Sequence, residues 1–188
     1  SYCNEQDVLR ELVDRAGCRL IRDEDVVLSA SSLSGLAANK IRKAFSGKAS
    51  AFNTFTHEKE RSITYLRLAM AEMLSSDGLL VAGFSGHLIP RKISHVLRIC
   101  LVADLKSRIA AAALHGGMPA KEAAKLVHKQ DEVAALWVNT VAGSNDPWSA
   151  ALYDILIPTD KVPVNKATDL IVRNLGRDVL QMTPQSQQ

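Results

Sequence analysis

EKERSITYLRLAMAEMLSSDGLLVAG, residues 58–83, sets a helical period directly ahead of a strand-like run. Across Glu58–Leu74 the residues Ile63, Leu66, Ala69, Met70 and Met73 recur at three- and four-residue steps, which puts them on one helix face. Asp77-Gly78 ends that helix by turn chemistry. Leu79-Leu80-Val81-Ala82-Gly83 is then continuously apolar, as in a strand buried on both faces. A helix feeding such a strand is the building unit of a parallel sheet covered by helices.

The same alternation extends in both directions. Upstream, Asn4 reads as the N-cap of a helix with Val8, Leu9, Leu12 and Val13 as its apolar stripe and Gly17 as its stop. Cys18–Ile21 reads as a short strand, and Asp23–Ala30 and Gly35–Phe45 as two helices around a Ser-rich break. Downstream, Val96–Val102 is a second apolar run and Leu105–Leu114 an Ala-rich helix stopped by Gly116-Gly117. Pro119 opens a helix that runs to about Val141, because proline suits the first helical turn. Ser144-Asn145-Asp146-Pro147 is a turn, Tyr153–Ile157 a third apolar run, and Asn165–Leu180 a last helix. The expected fold is therefore α/β: three layers, with a mostly parallel sheet flanked by helices. It forms a single domain over 1–182, followed by a polar tail at 183–188.

Composition agrees with a packed domain. The 188 residues are 47% hydrophobic, 23% charged and only 5% aromatic, which excludes wholesale disorder and leaves Ala and Leu to do most of the packing. A net charge of +3 is too small to argue for nucleic acid. No apolar run approaches the ~20 residues of a membrane span, and Ser1–Glu5 carries no basic region followed by an apolar stretch. The 3 cysteines, Cys3, Cys18 and Cys100, are widely spaced and read as reduced thiols of a cytoplasmic protein.

The usual chemical motifs are missing or broken. The cysteines lack Cys-x-x-Cys spacing and the histidines do not pair at i, i+4, so no metal site is expected. Gly83-Phe84-Ser85-Gly86 is one residue short of a nucleophile elbow. Ser46-Gly47-Lys48-Ala49-Ser50 resembles the end of a phosphate loop. However, Arg42 stands at its first glycine position, Ala49 replaces the hydroxyl, and a helix precedes it instead of a strand. Lys40, Arg42, Lys43 and Lys48 form a basic cluster without interleaved aromatics, so its default reading is a solvated helix face.

Five segments carry a more specific pattern when taken in order. They are Leu79–Gly83 with Phe84-Ser85-Gly86, then Val96–Ala103, then Leu105-Lys106-Ser107-Arg108-Ile109, then Asp131-Glu132-Val133-Ala134, and last Asp146–Thr159 with its Leu152-Tyr153-Asp154. This order resembles the cytidylate-kinase-like family of P-loop nucleoside monophosphate kinases. Members carry a strand leading to Gly-Arg-Gly, a second strand, an Arg-Ile helix, a lid with Asp-x-x-Arg, and an Asp-Pro-x-Leu-Tyr-Asp segment. The resemblance covers about Leu79 to Leu175 and, more loosely, Cys3 to Ala30.

The resemblance also marks what is absent. The family's glycine-rich loop falls on Ser1–Val8, which holds neither glycine nor lysine. The arginine of Gly-Arg-Gly falls on Phe84-Ser85, the lid arginine falls on Ala134, and a second lid arginine falls within Ala110–Ala113. Asp131 remains as the acidic remnant of the lid motif. Phosphoryl transfer is almost wholly positioning and charge stabilisation, and one such arginine is worth ~10³–10⁵ in rate.

The expectation is thus a catalytically degenerate cytidylate-kinase-like domain. It would act as a ligand-binding or protein-interaction module in signalling or regulation, with no catalytic residue. A nucleotide is its candidate ligand, and a second copy or a signalling protein its candidate partner. The alternative is an active kinase that uses ATP and Mg²⁺ to phosphorylate CMP or a related small molecule. Arg108 would then contact phosphate, helped by Lys40, Lys43 and Arg61. A third reading is a structural interaction domain that presents Leu136, Trp137, Val138 and Trp148 to a partner.

Overall fold

The computed structural model describes residues 1–46, 57–176 and 180. Gly47, Lys48, Ala49 and Ser50 of the loop-like motif, and the tail 183–188, lie outside the described residues. Among the described residues there are seven α-helices and four short strands: α1 Glu5–Ala16, β1 Arg19–Arg22, α2 Asp23–Ser34, α3 Ala38–Lys43, α4 Glu58–Met73, β2 Leu79–Ala82, β3 Ile99–Val102, α5 Leu105–Gly116, α6 Ala120–Ala142, β4 Ile155–Pro158 and α7 Val164–Leu175. All strand pairing is parallel, in two ladders of two strands, β1 with β2 and β3 with β4. This is a mixed α/β fold. No described helix is long and apolar enough to cross a membrane.

The chain divides into two compact units. One comprises 1–17, 91–132 and 147–188; the other comprises 18–90 and 133–146. Helix α6 contributes its residues up to Glu132 to the first and those from Val133 to the second.

In the first unit, β3 and β4 pair in the register Ile99↔Ile155 to Val102↔Pro158. Asp154 pins the start of the ladder, because its carboxylate accepts the Arg98 backbone N–H at 2.7 Å. Helix α5 starts where the Asp104 carboxylate caps the Ser107 N–H at 2.6 Å, and stops at Gly117, whose φ of 58° is the left-handed geometry that glycine adopts without strain. The α5–α6 hairpin closes over Ala112, Ala123 and Val127, small enough to bring the two helices close, with Ile109 and Met118 packed around them. Helix α1 packs on α7 through Val8 and Leu12 against Ala167 and Ile171, and Arg15 pairs with Asp169 at the rim.

Asn4 does precede α1, but its side chain caps nothing in it. Its backbone is left-handed at φ 54°, and its amide donates instead to the Thr159 carbonyl at 3.4 Å, just past β4. A left-handed N-cap turns the side chain away from the first-turn N–H groups, and this is why the expected cap does not form.

In the second unit, β1 and β2 pair from Arg19↔Leu79 to Arg22↔Ala82. Helix α4 buries Ile63, Leu66, Ala69 and Met70, the expected face, against Val26, Val27 and Ala30 of α2; Met73 is half-buried. The Ser-rich segment is not a break. Helix α2 continues through it to Ser34 and ends at Gly35, with φ 68°. The serines remain there because their hydroxyls meet local carbonyls: Ser34 Oγ donates to Ser31 O, and Ser31 Oγ donates to Leu36 O at 2.6 Å. The residues of β2 are half-buried, not fully buried as a continuous apolar run suggests. Among the described residues β2 pairs with β1 alone, in a ladder of two strands.

Phe45, Phe84 and Trp137 form an aromatic cluster in this unit, with Phe45 and Trp137 edge-on at 4.8 Å between centroids. The Trp137 indole N–H donates to Phe84 O at 2.9 Å. Trp137 and Val138 are therefore core residues and cannot form the partner surface proposed for them; Leu136 is 39% exposed.

Candidate functional site

The first unit contains a cavity of about 350 Å³ at the carboxyl end of β3. Its walls come from Val102 and Ala103 at the strand's exit, Leu105 and Arg108 on α5, His128 and Asp131 on α6, and Cys3 and Trp148. Parallel strands place ligand crevices at this end, because the connections to the following helices splay apart there. Volume and apolar lining are those of a small-molecule pocket. Trp148, 38% exposed, contributes a large aromatic face at its edge.

Arg108 is the charged centre of this cavity. Asp104 starts α5 one turn before Arg108, and the α5–α6 hairpin brings Asp131 opposite it. The guanidinium makes two parallel bonds to the carboxylate, Nη1 to Oδ2 at 3.0 Å and Nη2 to Oδ1 at 2.5 Å. Its Nε–H donates to the Ser1 carbonyl at 3.0 Å. The pair is largely out of solvent, with side-chain exposures of 9% and 23%. Asp131 holds the guanidinium protonated more firmly than usual, against the cost of burial. Three of the five N–H donors of Arg108 are thus committed.

The chain ahead of α1 binds its own carboxylate. Tyr2 and Asn4 both take left-handed φ, 60° and 54°, rare for residues with a Cβ. This backbone turns the Cys3 N–H onto Glu5 Oε2 at 2.9 Å. Burial works against the ionised Glu5, but the N–H groups of Glu5 and Cys3, the positive charge of the N-terminal amine and the Tyr2 N–H together outweigh it and hold the carboxyl below its ordinary range. Burial pushes the neighbouring Cys3 thiol up, with Arg108 pulling the other way.

The structure sorts the residues singled out from the sequence into two groups. Arg108 and Asp131 meet in the first unit. Lys40, Lys43 and Arg61 belong to the second and gather around Glu58. Lys40 Nζ bonds to Glu58 Oε1 at 2.6 Å. That hydrogen bond is the main reason the Glu58 carboxyl lies low, with Lys43 and Arg61 adding their charge. Arg42 is held in the same way by Glu24, through Nε at 3.0 Å and Nη2 at 2.6 Å. Among the described residues, no three His, Cys, Asp or Glu are grouped to hold a metal ion.

One site was not foreseen from the sequence. In the second unit Asp23 accepts the backbone N–H groups of Phe84 and Ser85, at 3.0 and 2.7 Å. Gly83 lies against that carboxylate at φ 104°, and a Cβ there would collide with it. The meeting is set by strand register, which only the fold reveals: β1 and β2 pair to Arg22↔Ala82, and the next residue of each is an aspartate and a glycine.

Comparison with known proteins follows from this geometry. A family model described as the cytidylate kinase-like family matches residues 2–161. The crystal structure of an uncharacterized protein from Eubacterium ventriosum ATCC 27560 aligns with a TM-score of 0.65 over 93% of this chain and 92% of that one; at 18% identity the likeness is one of fold. No curated protein matches.

Proposed function

This chain belongs to the cytidylate kinase-like family, and from that premise we propose that it is a member without phosphoryl-transfer chemistry, acting by binding. In this reading its architecture is the family's three-layer P-loop kinase fold, and it works in the cytoplasm as a ligand-sensing or protein-interaction module of a signalling system. A nucleotide is the candidate ligand of the cavity at the end of β3. A second copy or a signalling protein is the candidate partner.

The observation that carries the reading is the Arg108–Asp131 pair. Arg108 is the cation the family resemblance assigns to phosphate, yet it spends three donors inside the protein. A cation already neutralised by a carboxylate offers little to a phosphate that must displace it. Ala134, Phe84-Ser85 and Ala110–Ala113 supply no replacement charge at the other three expected positions. The Cys3 N–H ahead of α1, the place the resemblance gives to the phosphate loop, faces the Glu5 carboxylate instead.

The second reading, an active kinase, draws on the cavity itself and on the donors Arg108 has left. Mg²⁺ in such an enzyme is held by one or two carboxylates and the nucleotide phosphates. Here the cavity's carboxylate, Asp131, is taken by Arg108, so the residues present do not fit that ion. A coupled assay for ADP with Mg·ATP and CMP separates the two. The expected result is no turnover above the protein-free rate. Turnover in the ordinary kinase range of ~1–100 s⁻¹ overturns the proposal.

A further inference from the structure

The charges in the cavity at the end of β3 cancel. Arg108 and Asp131 are joined by two parallel hydrogen bonds, and the Ser1 carbonyl takes the Arg108 Nε–H. A phosphate entering beside Arg108 meets the Asp131 carboxylate, and an ammonium entering beside Asp131 meets the guanidinium. Either charge would lose its water and gain no net attraction from the pair. The pair is still strongly dipolar, which suits the polar edge of a ring that carries no charge.

The rest of the wall supplies surface for such a ring. Val102, Ala103 and Leu105 are apolar, and the Cys3 thiol beside them is pushed up by burial, toward its uncharged form. Trp148 has contacts of its own within the fold and is still 38% exposed where it borders the cavity. An indole is a broad face on which a flat heterocycle stacks whatever its substituents. A volume of about 350 Å³ accommodates a ring with a sugar attached, within the ordinary range of small-molecule sites.

We propose that this cavity takes the uncharged aromatic ring of its ligand, stacked on Trp148, and that a phosphate group on the ligand stays in solvent and adds no affinity. The proposal rests on the reading that this chain acts by binding, and it narrows the ligand from a nucleotide as a whole to its nucleoside part.

The test titrates adenosine and, separately, AMP into the full chain, followed by two-dimensional ¹⁵N–¹H NMR. Saturable shifts are expected at Val102, Ala103 and Leu105 and at the Trp148 indole N–H, with equal affinity for the two probes. Trp148→Ala is expected to weaken adenosine binding by about tenfold or more, the worth of stacking a base on an aromatic ring. Trp148→Phe keeps an aromatic face and should keep most of the binding, which separates stacking from a purely structural role of the tryptophan. No saturable shift with adenosine at millimolar concentration overturns the proposal, and so does undiminished binding in Trp148→Ala. AMP binding tighter by about tenfold, the worth of a charged hydrogen bond, also overturns it. The titration contains no phosphoryl donor, so failure of the non-catalytic reading shows separately, as turnover in the ADP assay.

Discussion

The Asp131 carboxylate receives two parallel N–H bonds from Arg108 across the α5–α6 hairpin, at 3.0 and 2.5 Å, with the arginine side chain only 9% exposed. Removing one partner of such a pair strands a buried charge. Asp131→Asn is therefore expected to lower stability by about 3 kcal/mol, at the low end for broken buried pairs because Asp131 retains some solvent contact. The double variant Arg108→Met with Asp131→Leu should recover most of that loss, since two apolar groups restore the packing without a charge to desolvate. Urea midpoints of the three proteins check this. A double variant as unstable as the single one would mean the ion pair itself holds the hairpin.

Gly83→Ala is expected to destabilise the second unit by at least about 2 kcal/mol. The position needs φ 104°, and the new Cβ would press on the Asp23 carboxylate that gathers the Phe84 and Ser85 N–H groups. Adding Asp23→Ala should remove the collision but not the backbone strain, so rescue should be partial. Thermal melts of the single and double variants measure both contributions.

Glu5 gives a pH signature. Its carboxyl is held below the ordinary range, so the ionised form is the one that stabilises the fold. That contribution is complete above the unfolded-state pKa and is lost as pH falls through the lower, folded-state value. Glu5→Gln should thus be less stable than the parent at neutral pH, and the gap should close on acidification. Denaturant titrations of both proteins from neutral pH to about 3 follow it; the range brackets an ordinary glutamate. A gap that stays constant with pH would show that the charge plays no part.

Local chemistry was legible in the sequence wherever one residue decided the outcome. Gly117 ends α5 and the apolar face of α4 packs as its period requires, because each depends on residues within a turn or two; α4 itself stops at Met73, ahead of the expected Asp77-Gly78. The Ser-rich end of α2 misled because serine hydroxyls can serve the helix's last carbonyls as readily as they can break it. Asn4 misled because a left-handed backbone turned its amide toward Thr159, a partner 155 residues away. The candidate site was half legible. Arg108 and Asp131 were both singled out, the first as a phosphate contact and the second as a lid remnant. That they spend their charge on each other is a tertiary fact, set by a hairpin that places residues 23 apart face to face. Lys40 was grouped with Arg108 by charge alone, and its Nζ bonds to Glu58.

The central claim is that Arg108, the cation at the end of β3, is spent on Asp131 and Ser1 and does not serve a phosphate in that cavity. Titration calorimetry of Mg·ATP into the full chain tests it most directly. The account predicts that any heat of binding at millimolar nucleotide is the same in Arg108→Gln as in the parent. Micromolar binding that is lost in Arg108→Gln would contradict it, by showing that Arg108 leaves Asp131 for a phosphate.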